Sequence, residues 1–246
     1  MTIGVLNAQS VGNKSAAIST CILERQFDVL AVVETWHDTD SPTLISCTPP
    51  NYRFIEQARP RTSKTSVNLM SNHGGLCVIF SVALSVNSIS LPSYNSMEVL
   101  AVSLRCGTFT ATLLTVYRPG SASITNLFFD EFSDVLERCS FSNNLLVVGD
   151  INIHLDDKIS AATKQFQSLL DSFGLADCVN QPTHRQHHQL DLFIVRTDQQ
   201  IPVIQVDPPI IADHSLISAT FQLASCELYS ACPSARSSTK VIVRLT

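Results

Sequence analysis

Nowhere does the 246-residue chain carry an apolar run approaching the roughly 20 residues that cross a bilayer. Its longest candidate, LCVIFSVAL from Leu76 to Leu84, is interrupted by Ser81 and reads as a buried strand, so no membrane span is expected. The opening MTIGVLNAQS has neither a basic stretch nor an apolar one, which predicts no secretory signal and an intracellular protein. Eight cysteines include no CxxC pair, so a cysteine zinc site is not expected; Cys77 and Cys106 fall inside strand-like runs, where a reduced thiol packs as a small apolar group. Internal repeats are lacking too. Charged residues are only 15% of the chain, and the net charge of −5 argues against gripping nucleic acid by bulk charge. It leaves room for an enzyme whose own metal-binding carboxylates supply several of those charges. What the chain does have is core material, with 45% hydrophobic residues and mean hydropathy +0.18, enough for one large domain or two small ones.

The organising stretch is Asn144 to Asn152, NLLVVGDIN. Leu145 to Val148 read as a short strand buried on both faces, Gly149 ends it, and Asp150 and Asn152 follow two residues apart. Taken alone, Gly, Asp and Asn read equally well as a turn. The same arrangement recurs, however. Residues 2–8 read as a strand with Asn7 at its end, and 27–33 as a strand running into Glu34 and Trp36, a packing residue beside that carboxylate. Residues 108–117 end in Tyr117, Arg118 and Pro119; Asp191 enters an apolar strand; Asp213 and His214 lead into 216–223. Between them, Lys14 to Arg25, Asn126 to Cys139 and Thr163 to Phe173 carry apolar residues at helical spacing, the last closed by Gly174. Residues 76–80, 82–89 and 97–104 read as further strands, the latter two alternating.

Polar residues at the ends of apolar strands are how a layered α/β protein assembles a site. Asn7, Glu34, Tyr117, Asp150, Asn152, Asp191, Asp213 and His214 supply oxygen ligands without cysteine or a histidine pair, which favours Mg²⁺ or Mn²⁺ over zinc. A hard cation, a histidine beside an aspartate, and neutral amide and phenol donors together suit hydrolysis of a phosphoester.

The ordered set LNA (Asn7), ETW (Glu34), VYRP (Tyr117), GDIN (Asp150, Asn152), LDL (Asp191) and ADHS (Asp213, His214) resembles the endonuclease/exonuclease/phosphatase superfamily. GDINIH, LLDSFGL, PTH and HQLDL further resemble the apurinic-type endonuclease domain of non-LTR, LINE-type retrotransposons, over residues 2–223. The resemblance implies a DNase I-like four-layer α/β sandwich, two mixed and mostly antiparallel sheets flanked by helices, with the site where loops of both sheets meet. It implies Glu34 as the principal Mg²⁺ ligand, with Mn²⁺ as a substitute, Asn7 beside it, and Asp213 acting on the leaving oxygen directly or through metal. Asp150 would orient or deprotonate the attacking water. Asn152, Tyr117, Arg118 and His188 would contact substrate, and His214, oriented by Asp191, a phosphate oxygen. The implied product is a DNA nick with a 3′ hydroxyl, which in such elements primes reverse transcription. A monomeric domain with access to the nucleus is expected, joined in a full-length element to a reverse transcriptase that this sequence does not contain. Where repair-type relatives carry an acidic residue, this chain has the neutral Gln9, and His188 stands where Ser is common.

Other expectations concern the flanks. Residues 37–73 read as polar and aperiodic, and Arg53, Arg59, Arg61 and Lys64 make them the most basic window: a solvated loop, or one that touches a phosphate backbone. Residues 224–246 read as a tail or linker. His184, His187 and His188 lack zinc-like spacing. Two functions compete with the nuclease: a phosphomonoesterase of the same superfamily, and a catalytically inactive retroelement-derived binding module.

Overall fold

The computed structural model describes residues 1–39, 41–60 and 73–222. The described residues form, in order, β1 (Thr2–Asn7), α1 (Ser15–Glu24), β2 (Val29–Val33), α2 (Thr43–Cys47), β3 (Tyr52–Gln57), β4 (Leu76–Ser81), β5 (Ser85–Ile89) and β6 (Glu98–Cys106). Then come β7 (Phe109–Tyr117), α3 (Asn126–Cys139), β8 (Leu145–Asp150), α4 (Ala161–Ser172), β9 (Leu175–Asp177), β10 (Asp191–Arg196), β11 (Val203–Val206) and β12 (Ile217–Thr220).

The strands make two six-stranded sheets, ordered β11-β12-β1-β2-β4-β3 and β5-β6-β7-β8-β10-β9. Each sheet holds one parallel pair, β1 with β2 and β7 with β8, and every other pairing is antiparallel. A parallel pair needs a crossover, and the chain supplies a helix for each, α1 in the first sheet and α3 in the second.

The central strands have no polar face, and the reason is the layering. Alternate residues of β1, β2, β4 and β8 (Ile3, Val5, Val29, Ala31, Leu76, Val78, Leu146, Val148) enter one core between the sheets. The intervening residues turn outward: Leu30, Val32 and Ile79 pack with Ile18 and Ile22 of α1 and Leu44 of α2, and Leu145 and Val147 with Phe128, Phe132 and Phe166 of α3 and α4. Three apolar layers between four structural ones give the expected four-layer sandwich. Each fully buried aliphatic or Phe side chain contributes about 1.5–3 kcal/mol.

Two expectations change. The basic window is not wholly a loop: Thr43–Cys47 is a short helix and Tyr52–Gln57 an edge strand paired along its length with β4. Its burial is shallow on both faces, so sequence alternation is weak, and pairing with the strongly apolar β4 decides the conformation. The short strands β9 and β11 have too few residues to display a period and form by pairing onto β10 and β12. Arg61, Lys64 and the 224–246 tail lie outside the described residues. No described helix is long and apolar enough to cross a membrane.

Candidate active site

Sheet register explains why residues far apart in the chain meet. In the first parallel pair Asn7 lies opposite Val33, which places Glu34 at the same edge; in the second, Tyr117 lies opposite Asp150. β10 runs antiparallel to β8, so its first residue, Asp191, falls beside the last of β8, Asp150. β12 likewise runs antiparallel to β1, bringing the Asp213-His214 turn to the Asn7 end. Residues 183–185 pair with 213–215 through Ser215 N–H to Thr183 O at 2.7 Å and Arg185 N–H to Asp213 O at 2.8 Å.

Hydrogen bonds then cross the sandwich. Asn7 Nδ2 donates to Glu34 Oε1 and to Asp150 Oδ2, both at 2.9 Å, and Asn7 Oδ1 accepts the Gln9 N–H at 3.0 Å. Trp36 Nε1 holds the other Glu34 oxygen at 3.1 Å, while the Trp36 ring stacks on His73 with centroids 4.1 Å apart. Asn152 donates its backbone N–H to Asp150 Oδ1 at 2.8 Å and its amide to Asp150 Oδ2 at 3.1 Å. His214 Nδ1 meets Asp191 Oδ2 at 2.8 Å, leaving Nε2 directed at Asp150 Oδ2, 4.0 Å away. Glu34, Trp36 and Asn152 all adopt left-handed backbone, with φ of 52°, 53° and 50°. Strain of this kind at non-glycine positions persists where surrounding contacts impose it.

Burial sets the charges. Asp150 is fully buried, and its carboxyl is pushed up to about 8 by desolvation and by Asp191. Burial works against a charged His214, but the charge and hydrogen bond of Asp191, joined by Asp150 and Asp213, outweigh it and raise the imidazole to about 9. Desolvation raises the Tyr117 phenol far above its usual range, helped by the charges of Glu34 and Asp150 and a hydrogen bond to Glu34, so it stays protonated.

The donor set fits a hard divalent cation. Glu34 and Asn7 present oxygens at the sheet edge, and Asp191 Oδ1 and Asp213 Oδ1 are buried with no hydrogen-bond partner among the described residues. A buried carboxylate oxygen without a partner costs free energy until a donor or cation arrives. Ligand atoms of Asp150, Asp191 and His214 lie within 4.8 Å of one another.

Two expected substrate contacts sit elsewhere. Arg118 is buried, with guanidinium donors on the carbonyls of Ile151 (2.5 Å), Asn152 (2.7 Å) and Ala122 (2.7 Å). Those bonds hold the turn that carries Asn152. His188 lies outside the cluster, paired with Asp156 at 3.1 Å and with its ring tilted against that of His154.

Four contributors escape sequence reading. Lys14 Nζ donates to Ala8 O at 2.6 Å and Gln9 O at 3.0 Å, closing the turn after Asn7, within the field of Asp213 and Glu34. Thr183 Oγ1 accepts the Asp191 N–H at 3.1 Å. The His184 ring packs edge-on to His214, with its Nε2 3.6 Å from Asp213 Oδ2. Glu98, opposite Tyr117 in β6–β7, binds Arg59 and accepts the Gly75 N–H at 2.6 Å, which sets the Arg59 guanidinium 5.7 Å from the Tyr117 ring centroid. Lys14, Thr183 and His184 do not stand at the end of an apolar strand, and Glu98, which opens β6 as Asp191 opens β10, carries a signal the sequence could have offered.

Comparison with protein-family models and with curated proteins found no match. Solved structures are similar in fold. The endonuclease domain of TRAS1, a telomere-specific non-LTR retrotransposon, superposes with TM-score 0.67 at 14% identity, over 89% of this chain and 96% of that one. The 3′ phosphatase NExo from Neisseria, bound to a product DNA hairpin, gives 0.68 at 16% identity over 91% and 100%. The AP endonuclease LMAP from Leishmania major gives 0.67 at 14% over 89% and 86%. The chain has the DNase I-like fold of these proteins.

Proposed function

We propose that the chain is a metal-dependent phosphodiesterase of the endonuclease/exonuclease/phosphatase superfamily that nicks one strand of DNA and leaves a 3′ hydroxyl, as target-site cleavage by a retrotransposon endonuclease does. The observation that carries it is the buried bond from Asn7 across to Asp150 of the other sheet, with the same Asn7 amide holding Glu34 of its own sheet, beside the Asp191–His214 pair. Such an arrangement has no packing rationale, since carboxylates and an imidazole stand where the sandwich would otherwise be filled by aliphatic groups. DNA as substrate is supported by the similarity in fold to nucleases and by the motif set.

Each residue has a task that its surroundings suit. Asp150, its carboxyl raised to about 8 and both oxygens fixed by Asn7 and Asn152, accepts the proton of the attacking water in its ionised form, which the charged His214 beside it favours. His214, held charged by Asp191, offers its Nε2 proton to a phosphate oxygen. Tyr117, which stays protonated, offers its phenol O–H as a hydrogen-bond donor to the scissile phosphate from beside Asp150. Glu34, Asn7 and Asp213 would hold Mg²⁺ or Mn²⁺, which offsets charge growing on the phosphorus oxygens.

Incubation of the protein with supercoiled plasmid and Mg²⁺ tests the reading. Nicked circles are expected, lost with EDTA and in Asp150→Ala and His214→Ala. Cleavage of small phosphomonoesters alone, or of nothing, overturns it.

A further inference from the structure

Outside the active site, the loop after β8 and the loop before β10 bring two imidazoles and a carboxylate together: His154, Asp156 and His188. Their ligand atoms lie within 4.8 Å of one another, the His154 and His188 ring centroids are 4.1 Å apart, and His188 Nδ1 is 3.1 Å from Asp156 Oδ2. We propose that these three residues form a second metal site, specific for a first-row transition ion of the zinc class and distinct from the hard-cation site around Glu34.

Ligand chemistry separates the two sites. Two imidazole nitrogens and one carboxylate suit Zn²⁺, Co²⁺ or Ni²⁺, whereas all-oxygen sets suit Mg²⁺. Bonds of about 2.0–2.2 Å in a tetrahedron place neighbouring ligand atoms roughly 3.3 Å apart, close to the separation His188 and Asp156 already have.

The framework is formed in advance. Leu155 N–H donates to Gln189 O at 3.0 Å, Ile151 N–H to Leu190 O at 3.3 Å, and Gln189 N–H to Asp156 Oδ1 at 2.9 Å. On the other flank the Thr183 and His184 N–H groups both donate to His188 O. An ion therefore replaces one side-chain hydrogen bond without moving the backbone. The side chains of His188 and Asp156 are 36% and 38% exposed, which leaves an entry path and a solvent-facing fourth position. Occupied, the site clamps the loop bearing Asn152 to the loop that leads into Asp191.

The inference is independent of the phosphodiesterase reading and is tested without an activity assay. In saturating Mg²⁺, the full chain is titrated with Co²⁺, read by the visible absorption of a four-coordinate site, and with Zn²⁺, read by calorimetry. One ion per chain is expected, with Zn²⁺ at a hundred times its Kd raising Tm by roughly 5–10 °C. Both signals are expected to vanish in His154→Ala and His188→Ala; the metal-free Tm should match the parent's in His154→Ala, whose ring is exposed, and fall slightly in His188→Ala, which also loses the hydrogen bond to Asp156. His184→Ala, which removes the other histidine-rich group, is expected to leave the Co²⁺ spectrum unchanged. Unchanged stoichiometry in both loop variants, or loss of the spectrum in His184→Ala, overturns the proposal.

Discussion

Replacing Asp191 by Asn isolates the electrostatics of the site, because it keeps the shape of the side chain and removes its charge. His214 stands at about 9 against an ordinary 6.5, a difference worth roughly 3 kcal/mol between its protonation states. Burial is the largest single influence and lowers the value; Asp191, through charge and a 2.8 Å hydrogen bond, is the largest that raises it. Asp191→Asn leaves the burial and removes the main opposing influence, so His214 should fall to or below about 6.5. The stability consequence follows in sign. A histidine whose folded pKa is raised contributes stability fully present below 6.5 and lost as pH rises through about 9. That pH-dependent part, on the order of 3 kcal/mol, should be missing from the variant. Histidine Cε1–H resonances followed by NMR against pH in EDTA, with the His214 signal assigned by its absence in His214→Gln, measure the shift directly. In the nicking assay near neutral pH the variant should lose about 10²–10⁴ in kcat. A His214 pKa in Asp191→Asn still close to that of the parent would refute the account.

Gly149→Ala should be among the costliest single-atom changes. Gly149 sits at φ +129°, and an added Cβ would lie 2.0 Å from the Val116 carbonyl oxygen in the neighbouring strand, so urea denaturation should show a loss of about 3–5 kcal/mol. A loss within the range of ordinary surface changes would mean the two parallel strands separate more easily than their register implies. Glu34→Gln should raise the Mg²⁺ concentration for half-maximal nicking at least about tenfold, while leaving the His214 titration measurable in the metal-free protein. In EDTA, wild-type stability should fall as pH rises from 6.5 to 9, because the native state holds protons on Asp150 and His214 that the unfolded chain releases earlier. Stability rising across that window in chemical denaturation would contradict both shifts.

Much was legible in the chain because one signal, a polar residue ending an apolar run, repeats at Asn7, Glu34, Tyr117 and Asp150. Continuous apolar strands such as LLVV and VLAVV announce burial on both faces, and that requires layers on either side. Where the signal is absent the reading stops. Lys14 reads as the start of a helix, yet its ammonium braces the turn beside Asn7. Arg118 invites a phosphate, yet its surroundings direct it to backbone carbonyls. His154 carries no signal in the sequence, since its neighbour His188 is 34 positions away in the chain and next to it in space.

By itself the sequence determined the apolar central strands, the faces they bury and what chemistry waits at their ends, because hydrophobic period and residue type act locally along the chain; the short or edge strands β3, β9 and β11 took shape only by pairing. Tertiary structure alone decided which strand ends are neighbours: parallel β1–β2 and β7–β8, with β10 and β12 returning antiparallel, bring Asn7, Glu34, Asp150, Asp191 and His214 to one edge. It also decided the protonation of that edge, since pKa values follow from burial and from charges a few ångströms away, and distances of that kind are properties of the folded chain.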